Sequence, residues 1–157
     1  MKAVLLSVHV VLAIILIGPL TAAASLFPRY AREAVAAGQD HTGPYSVLQA
    51  LHRISTGYAV AGVAVPVFGI GTASAMGVLG DYWIWVSMAL TLVGAALLAW
   101  AVVPAQRRIM ELLQTPGGTD SVPALLPRLG MVTGLFGLVW AIIVVLMIVR
   151  PGSSTGV

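Results

Sequence analysis

Very few side chains in this sequence are equipped for chemistry. The 157 residues include three histidines, five acidic residues and no cysteine. The lack of cysteine excludes disulfides, thiolate metal sites and cysteine nucleophiles. His9 stands apart as the one ionisable side chain well inside a long apolar run. Such a group is a functional candidate by default, because removing it from water costs free energy. Its imidazole makes it a candidate haem axial ligand. The competing reading is structural. His9 lies six residues beyond Ala3, about 9 Å along a helix, where a neutral ring can hydrogen-bond to Ser7, Ser87 or a facing carbonyl. His52 sits beside Arg53 at the start of the second apolar run and reads as an interfacial polar residue. His41 reads as a solvated loop residue. A haem clamped between His9 and His52 is excluded on length: helix rise separates them by about 27 Å, whereas two axial nitrogens on one iron lie only about 4 Å apart.

A second candidate constellation uses sulfur. His9, Met76, Met88 and Met147 all fall in the same third of the expected membrane layer. Thioether and imidazole together suit Cu(I), although methionine also fills irregular gaps between helices. No apolar run contains Asp, Glu, Lys or Arg, which argues against a proton pump or an ion-coupled transporter. The acidic residues Glu33, Asp40, Asp81, Glu111 and Asp120 are scattered outside the runs, and no protease or kinase signature is present. The stretch Gly69-Ile70-Gly71-Thr72-Ala73-Ser74 resembles a phosphate loop only in its first glycines. It lacks the third glycine, the preceding strand and the lysine.

The elements that position these residues follow from composition. Hydrophobic residues make up 59% of the chain and charged residues 8%, against about 25% charged in a soluble domain. With so few polar groups, lipid is the expected solvent. Four runs are long enough for helices of about 20 residues that cross a bilayer. They predict helices over about 3–27, 54–80, 82–103 and 129–149, an all-α polytopic four-helix bundle in a single membrane domain spanning 1–157. Residues 28–53 and 104–128 are expected as cytoplasmic loops, with a short interfacial helix from Gln106 to Gln114, and residues 151–157 as a disordered tail. The first run also has some character of a cleaved signal peptide, with Lys2 ahead of it and Ala22-Ala23-Ala24 within it. It exceeds the roughly 7–15 apolar residues of such leaders, so a retained helix is expected.

Basic residues orient the bundle. Arg29, Arg32, Arg53, Arg107, Arg108 and Arg128 flank one face; Lys2 and Arg150 flank the other. Cytoplasmic loops are enriched in Lys and Arg, so both long connections are expected inside and both termini outside. Tyr82, Trp83 and Trp85 then anchor the outer interface and Trp100 the inner one. The basic residues punctuate apolar runs instead of forming a patch, so nucleic acid is not an expected partner. Seven of the eight are Arg, which, with abundant Ala, Val and Gly, points to a GC-rich bacterial genome and hence to the bacterial plasma membrane.

Two patterns bear on packing. The halves of the chain match at an offset of about 75 residues: Gly18 with Gly94, Pro28 with Pro104, Leu51-x-Arg53 with Leu126-x-Arg128, and Gly62 with Gly137. This suggests two duplicated helical hairpins in parallel orientation. Small residues at four-residue spacing, namely Gly69, Ala73 and Gly77 in one run and Gly130 and Gly134 in another, are the ridges on which membrane helices approach closely. Pro19 and Pro66 are expected to kink their helices.

The sequence also resembles a family. His9 in the first helix, Leu26-Phe27-Pro28-Arg29 at its exit and Leu51-His52-Arg53-Ile54 opening the second resemble a family of small bacterial four-helix integral membrane proteins of unknown function. That family is distantly similar to CopD-type copper-resistance membrane proteins and to HemJ-type protoporphyrinogen oxidases. The resemblance implies the four-helix fold and a haem b role for His9. The later-helix lysine of HemJ-like proteins has no counterpart after Lys2, and the chain lacks a Met- and His-rich loop of the copper type. Three functions are therefore expected, in this order: a non-catalytic accessory or scaffolding subunit of a larger inner-membrane complex or homo-oligomer; a haem- or copper-binding redox protein centred on His9; and a small-solute carrier with a cavity lined by Ser55, Thr56, Thr72, Ser74, Thr91 and Thr133.

Overall fold

The computed structural model describes residues 2–38 and 42–152. Among these there is no strand. The helices are α1 (Lys2–Ala37), α2 (Thr42–Ala61), α3 (Ala64–Met76), α4 (Tyr82–Leu97), α5 (Val103–Gln114) and α6 (Val122–Val149). A π-helical turn, Leu98–Val102, joins α4 to α5, and a 3-10 turn, Gly118–Ser121, leads into α6. Counted as rods, α1, α2–α3, α4–α5 and the 3-10 turn with α6 are four helices long and apolar enough to cross a membrane. The chain is an all-α, four-helix, multi-pass membrane protein.

The helices run well past the apolar runs. Most of residues 28–53 and 104–128, expected as loops, is helical. Hydropathy marks where lipid ends, not where a helix ends. Beyond Pro28, α1 keeps an amphipathic stripe: Ala31 and Ala34 are fully buried while Arg29, Arg32 and Glu33 point outward. The expected helix from Gln106 to Gln114 is the body of α5. The rest of the expected disordered tail, 153–157, lies outside the described residues, as do Asp40 and His41. Ala24, in the stretch that resembles a leader cleavage site, is fully buried in the middle of α1.

The second rod is broken at Gly62–Val63. Pro66 has no N–H to offer the Gly62 carbonyl. That oxygen instead accepts from the Val65 N–H at 3.0 Å, a tighter turn. At the far end of α3, Gly77 takes a left-handed conformation (φ 77°), and the Val78 N–H reaches back to the Ala73 carbonyl, a Schellman closure. Gly77, expected in a packing ridge, is therefore a cap, and α3 stops at Met76 instead of running to Gly80.

The π turn in the third rod has a comparable origin. Pro104 removes a donor from the helical ladder, and the wide turn absorbs the defect. It also sets helix phase. The buried residues Gly94, Leu98, Val102 and Gln106 recur at every fourth position. An α-helix turns through about 100° per residue, so steps of four drift by about 40° each. The wider π turn takes up that drift and keeps Gln106 facing inward.

Packing is uneven along the bundle. The main core, built on Leu20, Phe27, Leu48, Val102, Leu129 and Phe136, lies toward the end where the arginines cluster. The opposite end holds only a small cluster of Ala73, Trp83 and Ile84, flanked by Val78, Met88 and Met147. Trp83, expected in an interfacial belt, is buried there. Its indole N–H donates to Asp81 at 3.1 Å, and the Arg150 guanidinium lies 5.8 Å from the centre of its ring. Tyr82, Trp85 and Trp100 are exposed, as interfacial rings should be.

Candidate functional site

His9 is the only buried residue in the first half of α1; the next is Leu20. Its ring packs against α3, where Gly69 leaves room for it. A Cβ at position 69 would stand 2.9 Å from the ring's Cε1, so a larger residue there would force the His9 ring to shift. His9 Nδ1 lies 3.0 Å from the Val65 carbonyl oxygen. A carbonyl only accepts, so Nδ1 carries the proton and the lone pair resides on Nε2. The partner is thus a facing carbonyl, one of the three acceptors expected. A backbone-anchored Nδ1–H is also the usual support for an imidazole that ligates through Nε2.

The residues of the copper constellation fall on four helices at the end of the bundle away from the arginines. Met88 and Met147 pack on the cluster of Ala73, Trp83 and Ile84. His9 meets α3 at Gly69, one turn from Ala73 and about 6 Å along the axis. Met76 is seven residues past Gly69, about 10 Å along. Among the described residues no three His, Asp or Glu side chains converge on a point that could hold a metal. His9 and His52 are far apart, because Val65 is thirteen residues beyond His52, about 20 Å of helix.

A second polar centre was not anticipated from the sequence. Gln106, fully buried on α5, donates from Nε2 to Ser55 Oγ at 3.2 Å. Its Oε1 lies 3.1 Å from His52 Nδ1. With the amide NH2 turned to Ser55, the amide oxygen faces His52, so Nδ1 is the donor. The network ties α2 to α5 at the arginine-rich end. His52 also lines an open groove of about 460 Å³ with Gln49, Arg53, Thr56, Gly57 and Met110. The sequence marks Gln106 only as the start of the expected interfacial helix. The available signal was its helical spacing with Ile109 and Leu113, opposite Arg107, Arg108 and Glu111.

Five of the six hydroxyls expected to line a solute cavity are hydrogen-bonded within the bundle. Thr56, Thr72, Thr91 and Thr133 each donate to a carbonyl of their own helix, and Ser55 accepts from Gln106. Of the six, only Thr56 lines either of the two main grooves. Two buried polar atoms on the α4–α6 side, Ser87 Oγ and Trp140 Nε1, have no partner. Trp140 lies over Gly94.

No protein-family model, curated protein or solved structure matches the chain.

Proposed function

We propose that this protein is a non-catalytic accessory or scaffolding subunit of the bacterial inner membrane that associates through the outer face of α6. The carrying observation is an unpartnered Gly-x-x-x-Gly. A Cβ added at Gly130 or Gly134 meets nothing within 4 Å. Two other helical glycines are already used inside the bundle: Gly69 receives His9 and Gly94 receives Trp140. The open glycines continue to Ala141, seven residues on and also exposed. Small residues at this spacing let a second transmembrane helix approach closely, and dispersion between backbones supplies the attraction in lipid. Gly134→Leu, purified in mild detergent, is expected to lose the higher-mass species of the wild type in light scattering while keeping its helical circular dichroism. A wild type that is strictly monomeric, with no co-purifying membrane subunit, removes this reading.

A second reading is favoured by the His9 geometry: a redox-related protein with haem b held by His9. With Nδ1 anchored on Val65, the lone pair on Nε2 is the one atom of the ring that could hold a haem iron, which would supply one-electron redox chemistry. Absorption spectra of the purified protein decide it. A Soret band that His9→Ala abolishes supports haem; a spectrum without one retires it.

A further inference from the structure

The groove on α2 and α5 has a chemical gradient that the oligomer reading does not use. Its lining residues descend α2 in order: Gln49, then His52 and Arg53, then Thr56 and Gly57, with Met110 facing from α5. Eight residues of helix separate Gln49 from Gly57, a depth of about 12 Å. Hydrogen-bonding and cationic groups occupy the rim. Gly57 lies deepest, where the rod enters its apolar part, while Met110, one turn past Gln106 on the antiparallel α5, faces the Gln49 end of the rim. At Gly57 the way is open, since an added Cβ would meet nothing within 4 Å.

The rim is built, not incidental. Gln106 is fully buried and bonded on both sides. It fixes the His52 ring by accepting from Nδ1, so the ring's other nitrogen is the one left for the groove. The ion pairs among the described residues are Arg29–Glu33, Arg107–Glu111 and Arg108–Glu111. Arg53 is in none of them. A guanidinium without a carboxylate, beside a braced imidazole at the boundary between polar and apolar chain, is complementary to a phosphate carrying an acyl chain.

We propose that this groove binds the headgroup of an anionic phospholipid, with its phosphate on Arg53, beside the His52 ring, and the start of an acyl chain over Gly57. Arg53 supplies the charged donor to the phosphate oxygens, and the His52 ring, its Nδ1–H held on Gln106, stands beside it. The other groove, about 270 Å³ around Arg32, Pro123 and Pro127, offers a cation with no second polar side chain on its rim. It serves as the control.

Native mass spectrometry of the full chain in detergent tests this with phosphatidylglycerol, phosphatidylcholine or inorganic phosphate added. One saturable phosphatidylglycerol per chain is expected, with phosphatidylcholine weaker. Arg53→Gln should weaken phosphatidylglycerol about tenfold, the loss of one charged hydrogen bond. Gly57→Leu should weaken it by blocking the chain, and Arg32→Gln should leave it unchanged. Arg53 and Gly57 are both exposed, so these variants are expected to fold. Equal retention of the two lipids, equal loss from Arg53→Gln and Arg32→Gln, or inorganic phosphate binding as tightly as lipid would each overturn the proposal.

Discussion

His9 and Gly69 form one contact seen from two helices, and they should behave as a coupled pair. Gly69→Ala puts a methyl group where the ring stands and should cost about 1–3 kcal/mol, the usual penalty for overfilling a packed site. Once His9→Ala has removed the ring, the same change should cost much less. A double-mutant cycle by thermal unfolding in detergent measures this; additive costs would mean that the ring does not rest on Gly69. Gln106 is a second test. Gln106→Leu leaves His52 Nδ1 and Ser55 without their partner, and stability should fall by about 1–2 kcal/mol, read as a lower unfolding temperature. His9 could be found from the sequence because an imidazole in an apolar run is conspicuous. Its partner could not, since a backbone carbonyl has no sequence signature. Gln106 is inconspicuous for the opposite reason: a polar residue followed by Arg107 and Arg108 has nothing in its neighbourhood to mark it as buried.

For the elements, the departures from uniform helix carry the consequences. Pro66 and Pro104 both withdraw a donor, yet the outcomes differ: a break at Gly62–Val63 in one rod and a wide turn at Leu98–Val102 in the other. The wide turn amounts to one residue inserted into an α-helix, and that residue sets the direction of α5. Deleting Ala101 together with Pro104→Ala should therefore restore a plain helix and still present position 106 to position 55. Deleting Ala89, inside regular α4, should instead rotate one part of the rod against the other by about 100°. The natural chain lacks cysteine, so Ser55→Cys with Gln106→Cys gives a clean assay: oxidative cross-linking should persist in the first deletion and vanish in the second. The exposed ion pairs Arg29–Glu33, Arg107–Glu111 and Arg108–Glu111 add little to their helices, because water screens them.

Across the whole molecule, charge and packing are both polarised. Six arginines gather at the end that holds the main core, and Arg150 with Asp81 and Trp83 closes the other. If the positive end faces the cytoplasm, a cysteine placed at Leu79 should react with an impermeant maleimide in intact cells, and one at Thr119 should react only after lysis. The reverse pattern would invert the orientation. The proposed duplication gains only general support: both halves are hairpins of long helices, but matched glycines have unlike surroundings. Gly18 is open, whereas its match Gly94 lies under Trp140.

From the sequence alone came the solvent, the number of rods and the polarity of the ends, because hydropathy and charge are local quantities that sum along the chain. Which polar groups meet was decided only by the fold. Facing depends on helix phase, and phase is reset at Gly62–Val63 and again at Leu98–Val102, where one extra residue turns everything after it. That is why His9 meets Val65 and Gln106 meets His52, pairings fifty residues and more apart that no reading of either neighbourhood contains.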